Sequence, residues 1–335
     1  MAKAIGRVNL ALQGGGAHGA LTWGVLDRLL EEPSFKVEGI SGASAGAMNA
    51  ICVAHGLATG GNQQARETLD KFWQSVATPK APLSDWFGYF RREGDLPGFS
   101  AAMMKMSHRF SPYQLNPFNV NPLKVMLTSI VDIELVASKR APKLFIATTE
   151  AATGNLRIFR NRELTVDVFL ASACLPNIQQ AVEIDGVDYW DGGYSANPPI
   201  TPLIFECKSD DILLVMLEPG GEQETPRSSD DIRTRTAALN FSTPLLTELR
   251  LISEMRRLAA AEKNPTDDLS NRLSNANIEL LEDADFLGGF HKRSRINTQA
   301  DFLYALKAQG REIAEAWLQV RVESEAVDAL ESVCS

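Results

Sequence analysis

The sequence predicts an α/β protein in which strands and helices alternate around a layered core, and three stretches carry that expectation. "RVNLALQ" alternates Val8, Leu10 and Leu12, breaks at glycine, and passes into helical spacing at Leu21, Val25, Leu26, Leu29 and Leu30. "FKVEGISGASAGAMNAICVAHG" repeats that order, a short strand ending in small residues before an apolar helix that Gly56 would close. "DILLVMLEP" is continuously apolar, which suits a strand covered on both faces.

The remaining elements follow in chain order. Residues 81–122 ("APLSDWFGYF", "AAMMKMSHRF", "NPFNVNP") are rich in Pro, Phe, Met and Asn and read as an irregular insertion, either a packed surface excursion or a cover that grips an acyl chain. "KLFIATTEA" and "NLRIFR" read as strands, and "AVEIDGVDYW" as two short strands about the tight turn that Asp185-Gly186 favours. From residue 228 onward helical stretches dominate ("LLTELRLISEMRRLAAAEK", "ADFLYALKAQGREIAEAWLQVRV"), with a Ser/Asn/Asp-rich joint near 264–277. The expected organisation is a catalytic domain over 5–227 and a mainly helical C-terminal extension over 228–335.

Composition narrows the function. A chain of 335 residues, 44% hydrophobic and 22% charged, can bury one large core or a core plus an appendage. Its 33 Lys and Arg against 42 Asp and Glu give a net charge of −9, which argues against nucleic acid as the principal partner. The start "MAKAIGRVNLALQ" lacks the apolar core of a signal peptide, and no apolar run reaches the roughly 20 residues that span a bilayer. A cytoplasmic location, peripheral at a membrane where the substrate is there, is the expectation. Cys52, Cys174, Cys207 and Cys334 are scattered and suggest neither a zinc site nor a disulfide framework.

Two glycine-rich turns hold the candidate chemistry. Gly14, Gly16 and Gly19 satisfy the dinucleotide spacing G-x-G-x-x-G, but the second strand offers no acidic residue at its tip for a ribose, and no lysine follows for a phosphate loop. That tip carries "GASAG" instead, a G-x-S-x-G pentapeptide whose sharp strand-to-helix turn would present Ser44 as a nucleophile. Taken alone, the pentapeptide also fits a tight turn with a capping serine. If Ser44 attacks an ester, the carbonyl oxygen becomes an anion, and the bare amides of Gly14, Gly15 and Gly16 at a helix start are candidate donors to it.

A base is also required. His55 follows Ser44 by 11 residues on one expected helix, roughly 16 Å away at 1.5 Å per residue, and is excluded. His18 belongs to the glycine loop and His108 to the insertion, while His291 alone follows the Ser, Asp, His order of α/β hydrolases. Asp191 in "YWDGGYSANPP" is the strongest partner, placed at a strand end and followed by two glycines.

"GGGAHG", "GASAG" and "DGG" in that order, with "ASACLPN" at 171–177, resemble the patatin-like phospholipases, lipid acyl hydrolases of the patatin and cytosolic phospholipase A2 design. The resemblance covers about residues 5–220. It implies a three-layer α/β sandwich with a mostly parallel central sheet. It also implies a Ser44–Asp191 dyad without histidine, an oxyanion hole at Gly14–Gly16, and an acyl-enzyme intermediate. Many members carry Arg or Lys where His18 stands.

The expected partner is a lipid or acyl ester substrate. Neither a cofactor nor a metal is expected, since no EF-hand pattern appears and Asp185, Asp188 and Asp191 read as strand and turn residues. Trp86, Phe87, Phe90 and Met103 are candidates for binding the acyl chain. A histidine-dependent esterase or thioesterase and a noncatalytic nucleotide- or anion-binding protein are the alternative readings.

Overall fold

The computed structural model describes residues 6–77, 110–218, 225–261, 268–290 and 292–334. Its centre is an eight-stranded sheet: β1 (Arg7–Leu12), β2 (Lys36–Gly42), β3 (Lys143–Glu150), β4 (Leu156–Arg160), β5 (Val182–Ile184), β6 (Val187–Asp191), β7 (Asp211–Val215) and β8 (Asn277–Leu281). The order is β5-β6-β3-β2-β1-β7-β8, with β4 also paired to β3. The run from β3 to β8 is parallel, and β4, β5 and β6 join it antiparallel. Asp185 (φ 52°) and Gly186 (φ 80°) both take the left-handed conformation that a tight hairpin demands, as the dipeptide predicts.

The helices are α1 (Gly19–Leu29), α2 (Ala45–Ala77), α3 (Pro112–Leu115), α4 (Pro122–Ile130), α5 (Ile133–Ala137), α6 (Val166–Ser172), α7 (Thr201–Glu206), α8 (Ser229–Ala261), α9 (Asp268–Asn275), α10 (Ala284–Gly288) and α11 (Ala300–Cys334). They cover both faces of the sheet. Alternation along β7 shows the layering: Leu213 and Val215 join the core that includes Leu21, Val25, Ile51 and Leu306, whereas Ile212 and Leu214 join the core that includes Leu203, Leu245, Ile252 and Leu273. This is the three-layer arrangement expected, and it accounts for the unbroken apolar run in β7.

Two local readings change. Gly56 does not cap α2; the helix runs on to Gly61, where φ of 75° and ψ of −158° break it. A side chain at 56 would come within 2.2 Å of Ala65 Cα, so this glycine lets the two limbs of α2 pack backbone to backbone. The region after residue 228 is mainly helical, as expected, but it also supplies β8, which pairs with β7 over Asp211–Val215.

The last helix is fastened tightly to the first. A Cβ on Gly24 would lie 1.9 Å from the carbonyl oxygen of Lys307, and one on Gly310 would lie 2.0 Å from that of Leu21, so α1 and α11 cross in backbone contact. Buried Asp27 receives Arg66 at 2.8 Å, Lys307 at 3.7 Å, and Arg311. Burial pushes its pKa up, but the hydrogen bond from Arg66 and the three cations outweigh this and hold it below the usual carboxylate value. Removing one partner from such a cluster costs several kcal/mol, about 3–5 for a buried pair. Among the described residues, no helix is long and apolar enough to cross a membrane.

Candidate active site

The parallel strands end together, and this sets the site. Leu12 of β1 is level with Gly42 of β2, so Gly14 and Ser44, each two residues further on, emerge side by side at the C-terminal edge of the sheet. Gly42 is level with Ile146 of β3, and Asp191 of β6 pairs with Thr148 two residues beyond. Three chain segments far apart in sequence thus reach one level.

Ser44 occupies the sharp turn between β2 and α2 at φ of 53°, a left-handed conformation uncommon for a residue with a side chain. Its amide donates to Ser172, both to the carbonyl oxygen at 3.0 Å and to Oγ at 3.1 Å. Small residues make the turn possible: a Cβ on Gly46 would fall 2.0 Å from the carbonyl oxygen of Leu12. Ser172 is wholly buried, and Ser195 Oγ is engaged with Thr149 Oγ1 at 2.8 Å.

Asp191 is completely buried. Its amide donates to the Cys174 carbonyl oxygen at 2.8 Å, and its own carbonyl accepts from Thr149 Oγ1 at 2.8 Å, so the backbone is fixed on both sides. Carboxylate Oδ1 accepts the Gly193 amide at 2.8 Å. Oδ2 has no well-directed partner among the described residues. The Ser44 hydroxyl nonetheless lies close enough to stabilise the charged carboxylate as a hydrogen-bond donor. Burial dominates over the Gly193 and Ser44 contributions and pushes the pKa up to about 7. A carboxylate so placed is a far better proton acceptor at neutral pH than an ordinary aspartate.

The glycine loop meets this pair, with one correction to the expected donor set. The Gly14 amide is not free: it donates to Asn197 Oδ1 at 2.7 Å, and Asn197 Nδ2 returns a bond to the Gly14 carbonyl at 3.4 Å. Gly14 is there for contact, because a Cβ would fall 2.7 Å from both Ala43 O and Ser44 Cβ. The amides of Gly15 and Gly16 have no acceptor among the described residues. Gly16, at φ of 60°, begins the 3-10 turn Gly16–His18 that leads into α1. His18 is buried, bonded through Nε2 to Ser294 Oγ at 2.7 Å, and lowered to about pKa 4 by burial and by the charge of Arg295. It is therefore neutral at pH 7.

His55 sits in α2, half-buried, its pKa lowered by burial. His108 and His291 lie outside the described residues, as do Trp86, Phe87, Phe90 and Met103. No cluster of three or more His, Cys, Asp or Glu side chains suited to a metal occurs among the described residues. Sequence reasoning missed Asn197, which is fully buried and ties the loop after Asp191 to Gly14 and, through Nδ2 at 3.1 Å, to the Phe241 carbonyl of α8. The signal was its place six residues after Asp191 in "DGGYSANPP". Ser172 and Cys174, in the quoted "ASACLPN", hold the amides of Ser44 and Asp191.

Comparison with known proteins bears on this arrangement. No curated protein matches the chain. Among solved structures it is similar to the crystal structure of VipD from Legionella pneumophila, at 14% identity and a TM-score of 0.41 over 92% of this chain and 67% of that one. The model of the family described as patatin-like phospholipase matches residues 10–204, a span that contains the glycine loop, Ser44, Asp191 and Asn197. More than half of its length being so matched, the chain belongs to the patatin-like phospholipase family.

Proposed function

We propose that this protein hydrolyses fatty acyl esters of phospholipids or related lipids, with Ser44 as nucleophile and Asp191 as its base. Ser44 Oγ attacks the acyl carbonyl carbon and passes its proton to Asp191; the tetrahedral oxyanion accepts hydrogen bonds from the Gly15 and Gly16 amides. Collapse expels the alcohol, which takes the proton from Asp191, and leaves Ser44 acylated. Water then attacks the acyl-enzyme, giving up a proton to the same carboxylate, and the fatty acid departs as Ser44 is restored.

The observation that carries this reading is the pairing of a strained Ser44 with a buried Asp191 whose Oδ2 lacks a well-directed partner. Membership of a lipid acyl hydrolase family agrees with it. A patatin-like unit over 5–227, completed by the C-terminal region that adds β8 to its sheet, belongs to the same proposal, as do a cytoplasmic setting and access to lipid at a membrane surface.

The test is labelling with a fluorophosphonate probe followed by peptide mapping, alongside hydrolysis of a panel of phospholipids, lysophospholipids, acyl-CoA and short p-nitrophenyl esters. Covalent modification of Ser44 and release of fatty acid from at least one lipid are expected. An unlabelled, folded protein would instead favour a binding role.

A further inference from the structure

The glycine loop is gripped by residues far outside the family-matched span. The 3-10 turn Lys292–Ile296 lies against the turn Gly16–His18. The carbonyl oxygen of Arg295 sits 2.4 Å from where a Gly16 Cβ would be. Ser294 Oγ meets His18 Nε2 at 2.7 Å, and the His18 ring rests near Phe290 and Phe302 at centroid distances of 6.2 and 6.1 Å. On the other side of the loop, the Arg295 guanidinium pairs with Glu218, whose amide, with that of Leu217, donates to Gln13 Oε1 at 2.9 and 2.6 Å. The segment therefore fixes the loop at residue 18 directly and at residue 13 through one intermediary.

We infer that the turn Lys292–Ile296 is a clasp that sets the Gly15 and Gly16 amides for oxyanion binding, with Ser294 as a positioning residue acting through His18. The inference rests on the reading of those amides given above. Oxyanion donors work only when about 2.7–3.1 Å from the developing charge. Three successive glycines give a backbone little stiffness of its own, so something must supply it. Anchorage of the tail does not depend on Ser294, because the α1–α11 backbone contact and the Asp27 cluster hold α11 independently. Loss of the Ser294 hydroxyl should consequently affect rate more than fold.

The experiment compares wild type, Ser294→Ala, Ser294→Thr and His18→Ala on a short soluble ester, with the active fraction titrated and the thermal midpoint recorded. Ser294→Ala should lower kcat about tenfold with KM within twofold, and should slow phosphonylation of Ser44 in parallel, because the phosphonate uses the same amides. Thr should restore most of the rate. His18→Ala combined with Ser294→Ala should be no worse than the more damaged single variant, since both break one bond. Wild-type kcat and labelling rate in Ser294→Ala would overturn the clasp while leaving the Ser44 reading intact. A loss traced wholly to a reduced active fraction or midpoint would overturn it too. Failure of wild type to be labelled at Ser44 would overturn the catalytic reading and the clasp with it.

Discussion

Two neighbouring strand-to-helix turns differ in which residue takes the left-handed backbone. After β1 it is Gly16, at φ of 60°, and the turn presents bare amides; after β2 it is Ser44, at φ of 53°, and the turn presents a side chain. The strands are parallel neighbours in register, and the turns touch through glycine on both sides, Gly14 against Ser44 and Gly46 against Leu12. One backbone device, used twice, thus presents bare amides in one copy and a serine hydroxyl in the other. Only the β2 turn carries strain in a residue with a Cβ, and strain of that kind, of order 1–3 kcal/mol, is retained where surrounding packing enforces it.

The largest expected effect removes the side chain that distinguishes the second turn. Ser44→Ala should abolish ester hydrolysis and probe labelling while leaving the thermal midpoint nearly unchanged, because Ala fits the same small turn. Labelling that persists at Ser172 or Ser195 would identify another nucleophile. Asp191→Asn should follow closely, since Asn keeps the shape but cannot take the proton; turnover measured on a soluble ester should fall almost as far.

The same carboxylate makes two pH predictions. With its pKa at about 7, kcat/KM of the wild type should rise through pH 7 as the base ionises. For stability the sign is opposite. Below about pH 4 the folded and unfolded states both hold the proton, between 4 and 7 only the folded state does, and above 7 neither does. Its contribution therefore declines from pH 4 to 7 and is level beyond. Denaturant titrations of Asp191→Asn should show that decline flattened and a gain in stability at neutral pH.

Gly14→Ala tests the contact between the turns. The new methyl would meet the Ala43 carbonyl oxygen and Ser44 Cβ at 2.7 Å, and the buried Asn197 Oδ1 at 3.0 Å. A loss of at least a hundredfold in kcat and about 1–3 kcal/mol of stability is expected. Near-normal turnover would show that the turns can part without harm. At the small end, His55→Ala, on α2 beyond reach of either turn, should keep kcat within about twofold; a larger loss would bring a histidine back into the mechanism.

Much of this site is legible in sequence because its parts are local. A glycine run after alternating apolar residues, a G-x-S-x-G after the next strand and an Asp-Gly-Gly after a hairpin each announce a turn type within a few residues, and strand register brings them level. Partnerships between distant residues leave no such mark. The bond that occupies the Gly14 amide spans 183 positions and the one between His18 and Ser294 spans 276, so neither is implied by spacing or periodicity. The strand Asn277–Leu281 was equally obscure, since five residues beside a polar joint in a helical tail give little pattern to read.

The span between His18 and Ser294 has a consequence in time. A ribosome adding about 5–20 residues per second delivers residue 294 roughly 15–55 s after residue 18. The growing chain thus carries its Ser44 turn well before the turn Lys292–Ile296, which packs against the glycine loop, exists. On the clasp proposed above, the full rate would be reached only once residue 294 has joined the fold, well after Ser44 has been made.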